Sequence, residues 1–593
     1  ISQKIGSKYT TGDYKMTVKL FDDPPNWEAR LRQQSLVTRS ARGRGQDIIV
    51  SSALAVIDAR FTLGILDRLA EPRFIAVERQ TETGLTYLIY ESVLPKATHY
   101  QELGMNASTP TIIRREMLQT IDSSWGKSDE SWIDIVAVPM YHRLDLNDSQ
   151  PVFTKTKLNP LAGATAHLFS QELVDEFLNV KDGVEIGEIM GGRQPLKVDI
   201  RNLIRYHSGA FGATGAGKSN FTSQLIRNAM TLDDDLRIVI FDIAGEYFVH
   251  LADQFKKNGN IYSTETFTSS KQFLDSQVIP ETLEAKLTDS KALSTIAEKM
   301  LQEGRVKTLA SGTQAEITLN TVLEMLSNVG TRAGALQAKI LNEQITDLIN
   351  EQHLKTETAL TILPEDTLNK LKTIITKGAE NAPERSSLKG ELTLLTTYLQ
   401  HKHDTTKEAT ISAGQLASIV LDAPRGNIEL AYIPEPIDAR RIVSQFINTL
   451  LKLKKTTGRG AVKVLIVLDE AQEYIPDRNK QDDYTEQSNI AVEALLRQGR
   501  KYRAHCWLGT QRVAHLNVSA LQQLHSYFVN VLPRIWDRLT IADAYSISLD
   551  LLDKTLDLEA GEWLFVSYNA SKRRNVPVFL KAPNNELNLI KTL

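Results

Sequence analysis

The chain has 593 residues, of which 42% are hydrophobic, and a formal net charge of -3. This length allows about two to four domains. The charge is not that of a strongly basic nucleic-acid-binding domain, although a ring can confine its basic groups to a channel. Cys506 is the single cysteine, which excludes an intrachain disulfide and argues against a thiolate zinc site. No run approaches the roughly 20 apolar residues that cross a bilayer, and the first residues lack the apolar core of a signal peptide, so we expect a cytoplasmic protein.

Residues 1–180 carry mostly strand signals. β-rich apolar runs lie at 16–20, 47–51, 74–77, 86–90 and 132–138. Gly84, in RQTETGLTYLIYES, indicates a hairpin between two of these runs. The sequence therefore predicts a β-rich, barrel-like N-terminal domain, with its connection to the next domain, over residues 1–180. The basic run RSARGRGQ around Gly43 is more typical of a solvated loop than of a nucleic-acid contact.

A phosphate-binding loop is predicted by FGATGAGKSN at 211–220, which contains G-x-x-x-x-G-K-S without a mismatch. A short apolar run precedes it and a helical pattern follows, which distinguishes it from a chance glycine-rich turn. The glycines let backbone N–H groups surround phosphate oxygens, Lys218 can reach the β- and γ-phosphates, and Ser219 can hold Mg²⁺. The expected nucleotide-binding residues are Gly212, Thr214, Gly215, Ala216, Gly217, Lys218, Ser219 and Asn220.

The first part of the predicted core, residues 181–268, continues into the segment FDIAGEY. Its Asp242 follows a buried strand and so lies at the edge where open α/β sheets bind ligands. Residues 269–425 form a polar helical stretch that is too long for a loop, which predicts a helical insertion with its own small core. His401 and His403, in HKHD, are more typical of a solvated surface than of a metal site.

The second part of the core, residues 426–593, contains a continuous aliphatic strand at 464–468 that ends in Asp469 and Glu470. A lone Asp-Glu pair is common at a turn. Downstream of a phosphate loop, however, Asp469 can hold Mg²⁺ through its water shell, while Glu470 can orient or deprotonate the attacking water. Gln511 ends a later strand, where a polar side chain can sense the phosphate.

Two arginines in LLRQGRKYRAH have two interpretations. Arg497 and Arg500 suit the dipole at a helix C-terminus, and either can also act as an arginine finger on the γ-phosphate of a neighbouring subunit. Together these segments predict an α/β protein in which a RecA-like P-loop ATPase core follows the β-rich domain and carries the helical insertion.

The motif set resembles the HerA/FtsK branch of P-loop ATPases, and HerA-type hexameric DNA translocases in particular. The resemblance rests on HSGAFGATGAGKSN, IVIFDIAGEY, VLIVLDEAQEY, QGRKYRAHCWLGTQR and LEAGEWLFVS, and covers roughly residues 180–270 and 425–585. It implies ATP and Mg²⁺ as cofactors and Ser219 and Asp469 as the metal-binding residues. The catalytic residues that it implies are Lys218, Glu470, Gln511 as γ-phosphate sensor and Arg500 as trans-acting arginine, with Arg497 as the fallback. Glu246 lies near the same site.

The resemblance also implies a homohexameric ring that moves duplex DNA through its pore, without a membrane. Similar proteins work with a separate effector, either a NurA-type nuclease in DNA end processing or a nuclease or sirtuin-like NAD-hydrolysing enzyme in anti-phage defence. The alternative is a ring scaffold whose nucleotide state assembles and regulates a partner effector, with little productive translocation.

Overall fold

A computed structural model describes most of the chain. The described residues are 18–43, 46–103, 105, 108–127, 130–148, 150–233, 235–280, 283, 291–310, 317–327, 329, 334–356, 358, 360, 363–383, 386–400, 410–477 and 483–592. Arg44, in the basic run around Gly43, lies outside the described residues. His401 and His403, in HKHD, also lie outside them.

The described residues form nineteen strands, numbered here in chain order. They are β1 Ala29–Gly43, β2 Gln46–Arg60, β3 Phe74–Thr81, β4 Gly84–His99, β5 Ser131–Asn147, β6 Gln150–Lys155, β7 Ala166–Leu168, β8 Val184–Ile189, β9 Pro195–Val198, β10 Ser208–Phe211, β11 Leu236–Asp242, β12 Asn260–Ser263, β13 Val306–Thr308, β14 Ile428–Tyr432, β15 Lys463–Leu468, β16 Ala504–Thr510, β17 Ser526–Val529, β18 Glu562–Ser567 and β19 Val578–Lys581.

The α-helices are named by their residues. They are Leu63–Arg68, Tyr100–Leu103, Thr111–Ser124, Gln171–Leu178, Ile200–Arg205, Lys218–Leu232, Tyr247–His250, Ala252–Phe255, Ser270–Asp275, Ala292–Gln302, Leu319–Ser327, Ala335–Glu351, Glu365–Asn381, Ser387–Gln400, Ala413–Asp422, Pro436–Thr456, Thr485–Gln498, Val518–Leu521, Ile535–Tyr545, Leu549–Lys554 and Asn585–Thr592. Within the described residues, every helix is too short or too polar to span a lipid bilayer.

The chain divides into two compact units, neither of which is continuous in sequence. Unit 1 consists of residues 1–200 and 526–583, and unit 2 of residues 201–525 and 584–593. Residues 526–583, which the sequence places in the second part of the ATPase core, therefore group with the N-terminal region.

The N-terminal part of unit 1 is an antiparallel sheet with strand order β1-β2-β5-β4-β3-β7, and β6 pairs with β5. Alternate residues of β5, including Ile133, Ile135 and Ala137, point into a common core and are fully buried. The two edge strands also meet, because Leu31 donates to the carbonyl of Ala164 at 2.9 Å and accepts from Gly163 at 2.7 Å. The sheet thus curls back on itself, as the barrel-like prediction requires.

The remainder of unit 1 contains five neighbouring antiparallel strands that come from distant parts of the chain. β17 pairs with β18, β18 with β19, β19 with β8, and β8 with β9, all antiparallel. Leu580 of β19 lies opposite Ile189 of β8.

The seven sheet strands of unit 2 all pair in parallel, in the order β13-β12-β14-β11-β15-β16-β10. β15 is buried from Val464 to Leu468, and all of β16 is buried. Near-continuous apolar strands of this kind are expected where helices cover both faces of a parallel sheet. The predicted α/β class, with a β-rich N-terminal part, is confirmed.

The predicted helical insertion has a core of its own in unit 2. Four helices, Leu319–Ser327, Ala335–Glu351, Glu365–Asn381 and Ser387–Gln400, enclose a continuous cluster of buried aliphatic side chains between Ile317 and Leu399. Leu341, Ile345 and Leu348 repeat at helical spacing on the buried face of the second helix.

Candidate nucleotide-binding site

The phosphate loop connects β10 to the helix Lys218–Leu232. All four residues of β10 are buried, so the strand holds the start of the loop rigidly. Gly215 and Gly217 have φ angles of +80° and +85°, in the left-handed region that favours glycine. A Cβ at Gly215 would meet no heavy atom of the described residues within 4 Å, so the backbone conformation, and not packing, favours glycine here. The Lys218 ammonium, which is largely buried, donates to the carbonyls of Gly212 at 3.1 Å and Ala213 at 3.3 Å and so lies across the loop.

The acidic residues reach this loop because β11 and β15 are parallel neighbours. Phe241 pairs with Leu468, so Asp242 and Asp469, the next residue in each case, come to the same edge of the sheet. The Asp242 carboxylate accepts from the backbone N–H groups of Gly245 at 2.8 Å and Tyr247 at 2.9 Å, and it thereby shapes the FDIAGEY turn.

The two predicted metal-binding residues, Ser219 and Asp469, differ in their hydrogen bonds. The Ser219 hydroxyl donates to the Glu246 carboxylate. Asp469 is 3% exposed, and its buried Oδ1 has no hydrogen-bond partner among the residues that the structure describes. An unpaired buried carboxylate oxygen is costly unless a cation or donor satisfies it.

These observations fit Mg²⁺, which is usually held by one or two protein oxygens together with water and phosphates. Within the described part of the chain no group of three His, Cys, Asp or Glu side chains could hold a metal by itself. Ser219 and Asp469 would hold such an ion together with the phosphates of a nucleotide.

Burial and mutual repulsion set the charge state of the two aspartates. Burial raises the pKa of Asp469 well above its usual value, Asp242 and Glu470 raise it further, and Lys218 opposes the shift. Burial also raises the pKa of Asp242 to about 6, against the hydrogen bonds from Tyr247 and Gly245. A bound cation would favour the ionised form of these two carboxyl groups.

The Glu470 side chain is held by two amides. Gln511 donates to one oxygen of its carboxylate at 2.6 Å and Gln472 donates to the other at 2.7 Å. Gln511 in turn accepts a hydrogen bond from the Thr214 hydroxyl in the phosphate loop. Glu470 and Gln511, predicted as water-activating and phosphate-sensing residues, are therefore brought together next to the loop.

Neither candidate trans arginine lies at the phosphate loop of its own chain. Arg500 is exposed, and its guanidinium lies 5.3 Å from the ring centroid of Tyr206. Tyr206 precedes β10, whereas the phosphate loop follows β10. Arg497 is also exposed and pairs with Glu493 at 3.2 Å within its helix. Both arginines are at the amino edge of the sheet, the edge opposite the loop.

Asn220, expected among the nucleotide-binding residues, is occupied elsewhere. Its side chain accepts from the backbone N–H of Asn585 at 3.1 Å and donates to Asn584 at 3.2 Å. Arg227, two turns further along the same helix, donates to the Asn585 side chain at 2.9 Å. The segment that begins the helix Asn585–Thr592 is thus tied to the helix that carries Lys218.

Sequence reasoning missed Gln472 and the contribution of Asn584 and Asn585. Gln472 lies two residues after Glu470 in DEAQEY, and this short spacing around a turn is the one local signal that could have indicated it. Asn584 and Asn585 have no local signal, because their partner Asn220 is more than 360 residues away along the chain.

Replacing Gly509 by alanine is expected to impair the metal-binding edge. An added Cβ would lie 2.6 Å from Asp469 Oδ1 and must displace that oxygen. We expect hydrolysis at limiting Mg²⁺ to fall on the order of 10- to 100-fold, the loss that a displacement of about 1 Å causes, and excess Mg²⁺ to restore part of it. Gly414→Ala is the control, because the nearest atom to its Cβ is 3.7 Å away. An unchanged Mg²⁺ titration for Gly509→Ala would contradict the role of Asp469.

A glycine-rich loop between a buried strand and a helix, facing carboxylates at the ends of adjacent parallel strands, is the arrangement characteristic of P-loop NTPases. Residues 184–394 match the family model described as helicase HerA, central domain. The resemblance to HerA-type ATPases seen in the motifs is therefore confirmed for this part of the chain.

Other proteins are similar over part of the chain. An uncharacterized protein of Aquifex aeolicus (strain VF5) is 32% identical over 75 residues, which cover 13% of this chain and 28% of that protein, so the match spans well under a third of the relative. VirB4 of Thermoanaerobacter pseudethanolicus has a TM-score of 0.41 and 16% identity, and covers 68% of this chain and 97% of its own. The plasmid coupling protein TrwB in complex with ADP and Mg²⁺ has a TM-score of 0.39 and 15% identity, and covers 70% of this chain and 92% of its own.

Proposed function

We propose that the protein is an ATP-driven, ring-forming DNA translocase of HerA type. The observation that carries the proposal is the division of the predicted catalytic residues between two edges of one sheet. Lys218, Glu470 and Gln511 lie around the phosphate loop, whereas Arg500 lies at the opposite edge. An arginine finger placed in this way acts on the loop of a neighbouring subunit, which makes a ring the natural assembly.

The chemistry at the loop follows from the positions of its side chains. The Lys218 ammonium neutralises charge on the β- and γ-phosphates, replacing the two backbone carbonyls that it now contacts. Ser219 and Asp469 would hold Mg²⁺, which would supply electrostatic stabilisation of the phosphates. Glu470 accepts a proton from the attacking water, and Gln511 joins that carboxylate to the loop through Thr214.

Coupling of hydrolysis to DNA movement is proposed from the family match and the expected ring. The net charge of -3 is compatible with this role, since a ring needs positive potential only where the strands pass. The separate nuclease or sirtuin-like effector, and a setting in DNA end processing or anti-phage defence, rest on the resemblance alone.

DNA-stimulated ATP hydrolysis tests the proposal. The purified protein is expected to hydrolyse ATP faster with duplex DNA than without it and to have a native mass several times that of one chain. Lys218→Ala, which removes the phosphate-binding ammonium, is expected to lose both basal and stimulated hydrolysis. Hydrolysis that DNA leaves unchanged would count against a translocase. It would favour the ring scaffold if the Lys218→Ala ring still activated a partner effector.

A further inference from the structure

The turn after β15 directs two side chains to the same edge of the sheet. Glu470 has a φ angle of +51°, in the left-handed region that non-glycine residues rarely adopt. The next three residues form a single 3₁₀ turn, Ala471–Glu473. This reversal brings the Gln472 side chain back beside the Glu470 carboxylate, where its amide donates at 2.7 Å. Backbone strain that is retained at such a position is commonly linked to function.

The orientation of the Gln472 amide is fixed from behind by Thr510. The Thr510 hydroxyl donates to Gln472 Oε1 at 2.6 Å, which leaves the amide nitrogen facing Glu470. The same hydroxyl oxygen accepts from the backbone N–H of Arg512 at 3.0 Å, so its proton is directed to Gln472. Thr510 is fully buried at the end of β16. A hydrogen-bond path therefore runs from the rigid sheet, through Gln472, to Glu470.

The second amide on Glu470 has a different anchor. Gln511 is held by Thr214, which is exposed in the phosphate loop. Phosphate binding engages that loop, so the position of Gln511 depends on the nucleotide. Gln472 is anchored to a buried strand end, so its position does not depend on the nucleotide.

We propose that Gln472 is a positioning residue for ATP hydrolysis. Gln472, which is held by Thr510, keeps one carboxylate oxygen of Glu470 in a fixed position through the catalytic cycle. The position of the other oxygen depends on Gln511 and the phosphate loop. This inference rests on the proposed ATPase activity and adds two residues, Gln472 and Thr510, to the machinery.

Steady-state kinetics of single variants test the assignment. Gln472→Ala is expected to lower kcat about 10- to 100-fold, since a misplacement of about 1 Å has an effect of this size, with the KM for ATP, nucleotide affinity and Tm close to wild type. Gln472→Glu keeps the acceptor for Thr510 but sets a carboxylate against Glu470, so we expect at least as large a loss. Gln344→Ala, at an exposed glutamine of the insertion, is the control and should not alter kcat.

A double-mutant cycle separates positioning from simple packing. Thr510→Val removes the hydroxyl at nearly constant volume and is expected to lower kcat, whereas Thr510→Ser retains the hydroxyl and should restore most of it. Thr510→Val should add little to Gln472→Ala, because the two residues act along one path. Additive losses, no rescue by serine, or a kcat for Gln472→Ala equal to wild type would each overturn the inference. Failure of the proposed function is distinct, because the wild-type protein itself would then not hydrolyse ATP.

Discussion

Glu470→Gln is expected to abolish ATP hydrolysis while ATP binding persists. The glutamine has nearly the same shape but cannot take a proton from water, and the loss of a general base costs about 10²- to 10⁴-fold in rate. It also places a third amide next to Gln472 and Gln511, both of which donate to the carboxylate in the native protein. Nucleotide binding by calorimetry and turnover by phosphate release measure the two effects separately.

The control for this substitution is Glu486→Gln. Glu486 is an exposed acid in the first turn of the helix Thr485–Gln498. The same replacement of a carboxylate by an amide is thus made at a residue outside the phosphate loop. Its turnover should match wild type. Near-normal turnover of Glu470→Gln would eliminate Glu470 as the water-activating group, and with it the reason for the two-amide arrangement.

Arg500→Ala is expected to lower turnover by about 10³- to 10⁵-fold without weakening nucleotide binding, because a finger acts on charge that develops in the transition state. We expect Arg500 to act on the nucleotide of a neighbouring subunit, because it packs on Tyr206 at the edge of the sheet opposite the phosphate loop of its own chain. Arg497→Ala is the matched control, because Arg497 is also exposed in the same segment but is paired with Glu493.

Mixing two inactive variants tests the trans geometry directly. Equal amounts of Lys218→Ala and Arg500→Ala subunits should form rings in which about a quarter of the interfaces join an intact loop to an intact arginine, and part of the activity should return. If Arg500 acted within its own chain, the mixture would stay inactive. If Arg497→Ala lost most of its turnover and Arg500→Ala lost none, the arginine finger would be Arg497 and not Arg500.

The parts of the site that sequence predicts are those with a local pattern. The glycine-rich loop and the acids after an aliphatic strand are each defined within about ten residues, and parallel pairing of β11 with β15 then brings them together. The insertion follows from helical periodicity alone, and its buried cluster has the expected spacing. These features need no knowledge of distant contacts.

The features that sequence does not predict depend on contacts between distant residues. Asn220 directly follows the glycine-rich motif and is expected among the nucleotide-binding residues, yet its side-chain amide makes hydrogen bonds with Asn584 and Asn585. Residues 526–583 continue the apolar strand pattern of the core, and nothing local indicates that they group with the N-terminal unit. Gln472 depends on a left-handed Glu470, a conformation that its residue type does not favour.

The discontinuous division of the chain has a consequence for how the protein can be made. Strand β8 ends at Ile189, but its partner β19 begins only at Val578, so unit 1 is incomplete until most of the chain has left the ribosome. Such long-range pairing slows folding. Until β19 arrives, one edge of β8 presents unpaired backbone groups, and an open strand edge is a template for pairing with other chains. Fragments that stop within residues 201–525 keep that edge open permanently and should aggregate more readily than the full chain.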